Sequence, residues 1–166
     1  DLAACTPSAP ITRSCLFLET LETARELDPI SRAAGLRHVA VLQARAGLLD
    51  EALETVRWIY PAETRVMAMS DIIGIRHDPD LFTEALKIAR EIEVEGPRVR
   101  ALAVLGATRT DPDVFGEALE TASWVQGEHL RDLALTHITV SQAKAGFFSA
   151  AMKTADHIKS SSARAG

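Results

Sequence analysis

The segment His77-Asp78-Pro79-Asp80 brings an imidazole and two carboxylates within four residues, a donor set that a divalent cation can use. The same residues have a simpler use. Asp before Pro caps a helix start, Pro fits the first helical position, and the next Asp faces the positive helix end. Asp111-Pro112-Asp113 repeats the pattern 33 residues on. Capping accounts for both aspartates of each copy, and a cation site needs more converging oxygens than the turn offers. No metal site and no cofactor are therefore expected. His38 and His137, 99 residues apart, read as interhelical or surface histidines rather than ligands of one ion. Phosphate loops, nucleophile elbows, zinc-protease helices and suggestive carboxylate pairs are absent from the sequence, so a catalytic role is not expected.

Cys5 and Cys15 are the two cysteines, separated by a loop rich in prolines and hydroxyls. A disulfide between them is expected, and with it a periplasmic or extracellular location. The alternative is two reduced thiols, Cys15 facing the core, in a cytoplasmic protein. Arg32, Arg65, Arg98 and Arg131 form a column at 33-residue spacing. Each begins a helix, where its charge opposes the dipole and needs compensation. An acid on the preceding helix, such as Glu22, Glu54 or Glu120, is the expected partner; a ladder of anion-binding arginines is the other reading.

The elements that position these residues repeat. Thr20-Leu21-Glu22-Thr23-Ala24, Ala52-Leu53-Glu54-Thr55-Val56, Ala85-Leu86-Lys87-Ile88-Ala89, Ala118-Leu119-Glu120-Thr121-Ala122 and Ala151-Met152-Lys153-Thr154-Ala155 recur at 32 or 33 residues. Such a period marks stacked helical hairpins. In the first helix of each unit, Leu36, Met69, Leu102 and Leu135 lead to Val39, Ile72, Leu105 and Ile138 on one apolar stripe. In the second, Ala52, Val56 and Ile59 and their equivalents make another. The spacing predicts helices over Arg13 to Leu27, Ser31 to Ala46, Leu49 to Ile59, Ala62 to Ile75, Pro79 to Ile92, Pro97 to Ala107, Pro112 to Val125, Glu128 to Ala145 and Phe148 to Lys159. Residues 1–12 read as an N-terminal extension, 13–159 as the repeat domain, and 160–166 as a frayed tail. Leu49, Phe82, Phe115 and Phe148 share a column expected in the core.

Composition narrows the function. Lys plus Arg total 18 against 23 acids, a net charge of −5, which works against a nucleic-acid footprint. No apolar run reaches the ~20 residues of a transmembrane helix. Hydrophobic residues make up 47% of the chain and aromatics only 5%, so Ala, Leu, Ile and Val must build the core.

The run Leu36, Val39, Ala40, Gln43, Gly47, Ala52 and Val56 resembles the tetratricopeptide repeat, as does Leu135, Ile138, Thr139, Gly146, Ala151 and Ala155. The signature tryptophan, tyrosine and closing proline of that family are missing. The resemblance implies an all-α, right-handed solenoid of about four hairpins plus an extra N-terminal helix, with a groove lined by the first helix of each unit. Its groove positions fall on Ala34, Arg37, Val41, Ala44 and Arg45, on Met67, Ser70, Gly74, His77 and Asp78, on Arg100, Ala103, Ala107, Thr110 and Asp111, and on Leu133, Thr136, Val140, Ala143 and Lys144. Arg37, Arg45, His77, Arg100, Thr136 and Lys144 are its polar candidates, without the Lys and Asn pattern of a carboxylate clamp. Trp58, Tyr60 and Trp124 are candidate interface residues. The expected function is an exported bacterial protein that mediates protein–protein interaction. The alternative is a subunit that stacks end to end into a filament, Phe17 and Leu21 of one copy meeting Met152 and Ile158 of another.

Overall fold

The computed structural model describes residues 28–162, with side chains through 158, and every regular element among them is an α-helix. There are eight: α1 (Pro29–Arg45), α2 (Leu49–Arg57), α3 (Ala62–Arg76), α4 (Pro79–Arg90), α5 (Glu95–Arg109), α6 (Pro112–Trp124), α7 (Glu128–Lys144) and α8 (Phe148–Ser162). The predicted helix Arg13 to Leu27 lies outside the described residues. So do Cys5 and Cys15, and the disulfide expectation is corrected: no cysteine pairing is found among the described residues. That expectation rested on the number of cysteines and the loop-like stretch between them. The last helix runs through Ser162, into the stretch expected to fray.

Three helix starts, those of α1, α4 and α6, follow from Asp-Pro pairs. The Asp28, Asp78 and Asp111 carboxylates each accept two backbone N–H bonds, from Ile30 and Ser31, Asp80 and Leu81, and Asp113 and Val114. Each satisfies orphan donors of the first turn, and Pro follows at a position whose missing N–H costs nothing. The stops of α1, α3, α5 and α7 use two devices. Gly47 and Gly146 adopt φ of +84° and +86°. There Leu48 N–H reaches the Gln43 carbonyl and Gly47 N–H the Ala44 carbonyl, with the same pair of bonds at Phe147 and Gly146. The other stop places His77 and Thr110, neither of them glycine, at φ of +55° and +54°.

The chain divides between Arg76 and His77 into two compact units. In the first, α1 pairs with α2 as a hairpin, and α3 packs on both. In the second, α5 pairs with α6 and α7 with α8, while α5 also packs on α7, α4 on α5, and α6 on α7. A first helix thus touches its own partner and the next first helix, a helical-repeat arrangement. This explains why the first helices are buried on more than one stripe: Val66 and Val99, three residues before Met69 and Leu102, are fully enclosed alongside them. The second helices bury only one face, centred on Ala52, Ala85, Ala118 and Ala151.

The arginine column caps helices. Arg65 Nε donates to the Ile59 carbonyl at 3.1 Å, Arg98 Nε to the Ile92 carbonyl at 2.6 Å, and Arg131 to the Val125 carbonyl at 3.3 and 3.0 Å. These carbonyls lie just past the C-termini of α2, α4 and α6, so each cation meets the negative end of the preceding helix. The expected acidic side-chain partner is corrected for these three arginines: Glu54 pairs with Arg57 instead. A guanidinium turned back by six residues reaches backbone oxygens that would otherwise be orphaned.

A buried pair ties two hairpins internally. The Thr55 hydroxyl donates to Gln43 Oε1 at 2.8 Å, and Thr154 to Gln142 Oε1 at 3.0 Å, with all four residues buried. The phenylalanine column is corrected in part. Phe115 is 3% exposed, whereas Phe148 is 67% exposed and Phe82 half-buried. Phe115 has a seat: a Cβ on Gly106 would lie 3.2 Å from its ring, so glycine permits the approach. At the equivalent position of α7 stands Thr139.

Candidate functional site

The first unit carries a cleft of about 580 Å³ between α1 and α3. Its α1 wall is built by Ala34, Arg37, His38, Val41, Leu42 and Arg45, and its α3 wall by Thr64, Met67, Asp71 and Ile75. The spacing 34, 37, 38, 41, 42, 45 is that of one helix face, and 64, 67, 71, 75 that of the facing helix. The opposite faces, Leu36, Val39 and Ala40 on α1 and Met69, Ile72 and Ile73 on α3, are buried and hold both walls in place.

Two chemistries meet in the cleft. Val41, Leu42, Met67 and Ile75 supply apolar surface, with Leu42 41% exposed. Arg37, Arg45 and His38 supply nitrogen donors on the α1 wall. Arg37 Nε meets Asp71 Oδ2 at 2.8 Å, and its terminal nitrogen lies 3.7 Å from Met67 Sδ. Both members of the ion pair are more than one-third exposed, so its net stabilisation is small. Its consequence is geometric: Asp71 holds the guanidinium across the cleft. Arg45, exposed in the last turn of α1, presents a second cation at one end. Apolar surface beside cations suits a segment with apolar and acidic side chains.

The remaining candidates fall elsewhere. Ala44, Ser70 and Ala103 are buried and line no surface. His77 is exposed at the stop of α3. On α7, the exposed Thr136 donates its hydroxyl to the Asp132 carbonyl at 2.7 Å, and Lys144 is exposed in the last turn. Arg100 on α5 lies near His137 on α7, whose pKa is held below the ordinary histidine value by burial and by the Arg100 charge. Trp58, Tyr60 and Trp124 are exposed at 58%, 77% and 63%. Met152 is exposed and Ile158 half-buried, while Phe17 and Leu21 lie outside the described residues. Of the cleft residues, His38, Leu42, Thr64, Asp71 and Ile75 were not among the sequence candidates. The family's groove positions pointed at one row of each helix, and the cleft uses two.

Among the described residues no cluster of His, Cys, Asp and Glu could hold a metal ion, and no helix is long and apolar enough to cross a membrane. No protein-family model, no curated protein and no solved structure matches the chain. What the fold defines is a small all-helical protein of the helical-repeat class.

Proposed function

We propose that the protein is a non-catalytic, tetratricopeptide-like interaction module that binds a protein segment in the α1–α3 cleft. The carrying observation is the cleft itself: Leu42, Val41, Met67 and Ile75 offer apolar contact beside Arg37 and Arg45. Its volume lies within the roughly 300–1,000 Å³ typical of binding clefts, room for a few side chains of a bound segment. The cations favour an acidic segment through electrostatic complementarity. The one carboxylate among the lining residues, Asp71, is engaged by Arg37, which leaves it poorly placed for general acid–base work. Packing of first helix on first helix within each unit supports the hairpin stacking that the family resemblance implies.

The test is selection of peptides from a random displayed library on the whole protein, followed by affinity measurement with a cleft variant. Selected peptides are expected to combine apolar and acidic residues and to lose at least about tenfold in affinity to Arg45→Glu, roughly 1.4 kcal/mol. Failure to select any peptide, or equal binding by Arg45→Glu and Leu42→Asp, overturns the proposal.

A further inference from the structure

The exposed face of α8 continues a column that is covered elsewhere in the second unit. In the second unit, Phe115 on α6 is covered by the hairpin that follows it: the Phe147 ring meets it edge-on, centroids 5.7 Å apart at 79°. Phe82 on α4 is met by a later residue too, the Arg109 guanidinium lying 5.3 Å from its ring centroid. Phe148 is the next member of this column, and among the described residues it stands 67% exposed. Met152, one turn on, is 70% exposed, whereas its equivalent Leu119 is partly covered. The two lie on one helix face at a spacing of four. Ala151 and Thr154, on the other face, are buried against the rest of the unit. So α8 is held firmly on one side and shows phenylalanine and methionine on the other.

The interface within the unit identifies what fits there. Phe115 is covered by a residue that opens the second helix of a hairpin, and that column reads Leu48, Leu81, Val114 and Phe147, apolar in every copy. Leu81 and Val114 are buried within their own copy and Phe147 lies on Phe115, so Leu48, half-buried just before α2, is the member left to meet the face that α8 leaves open. We infer that α8 docks a second copy of this chain, whose turn at Leu48 packs on Phe148 and Met152 as Phe147 packs on Phe115. The contact joins different surfaces of the two copies, so it is head-to-tail and extends beyond a dimer unless the geometry closes into a ring. Phe148, Met152 and Leu48 do not line the α1–α3 cleft, and failure of this contact leaves the cleft reading standing.

Sedimentation velocity of the whole protein over a wide concentration range tests this. Species at multiples of 17.9 kDa are expected to grow with concentration. Phe148→Glu and Met152→Glu should each raise the dissociation constant by at least about 30-fold, while Phe148→Leu stays within a few-fold of the parent. Both side chains are exposed, so helical circular dichroism should not change. A photoreactive residue at position 152 should cross-link one copy to another. A single 17.9 kDa species at all concentrations overturns the inference. So does association that either glutamate leaves untouched, or the absence of a copy-to-copy cross-link.

Discussion

Arg98 shows how one residue type can be placed for a reason its sequence position hides. The column Arg32, Arg65, Arg98, Arg131 is plain in the sequence, and at a helix start it looks unfavourable. The side chain's length resolves this, since the guanidinium of Arg98 reaches the Ile92 and Glu93 carbonyls at 2.6 and 3.1 Å. Replacing it with Met keeps the aliphatic stem and removes both bonds. Urea denaturation should register a loss of about 1.5–3 kcal/mol, the range for hydrogen bonds to charged groups. Thr110 works in the opposite direction. A β-branched residue at φ of +54° is strained, and its backbone still makes the stop bonds, Thr110 N–H to Ala107 and Asp111 N–H to Gly106. Thr110→Gly should stabilise the fold by roughly 1 kcal/mol in the same assay, the relief of strain exceeding the entropy that glycine adds to the unfolded chain. A sequence reader looks for glycine at such a stop, and neither His77 nor Thr110 announces itself.

Hairpins reveal what a period can and cannot tell. The order and approximate limits of the described helices follow from apolar spacing and from Asp-Pro and Gly signals, because those are local. The second and third buried stripes of α3 and α5 depend on which helices surround them, and spacing alone did not name them. The buried Gln142–Thr154 bond is legible only in retrospect, as a copy of Gln43–Thr55. Thr154→Val keeps the shape and leaves the Gln142 amide buried without this partner. It should cost about 1–3 kcal/mol, and adding Gln142→Leu should restore much of that, read as a double-mutant cycle. Between α5 and α7, His137 binds protons less readily in the fold than in the unfolded chain, through burial and Arg100. Its contribution is therefore fully present above the ordinary histidine pKa of about 6.5 and is lost as pH falls below it, because the unfolded chain takes up the proton first. Denaturation midpoints should decline from pH 7.5 to 5.5, and less so in His137→Gln.

At the scale of the molecule, an acidic chain concentrates two arginines and a histidine on one wall of an apolar cleft. The row Ala34, Arg37, Val41, Arg45 and Met67 could be named from the family resemblance, while the second row, His38, Leu42, Asp71 and Ile75, required the angle at which α1 faces α3. No sequence period encodes that angle. The account rests on this cleft being where a partner binds. The most direct measurement is an amide and methyl NMR titration of the whole protein with a selected acidic-apolar peptide. Saturable shifts gathered on Val41, Leu42, Arg45, Met67 and Ile75, and abolished by Arg45→Glu, are the predicted result. Shifts confined to α4 through α8, or unchanged by that substitution, would contradict it.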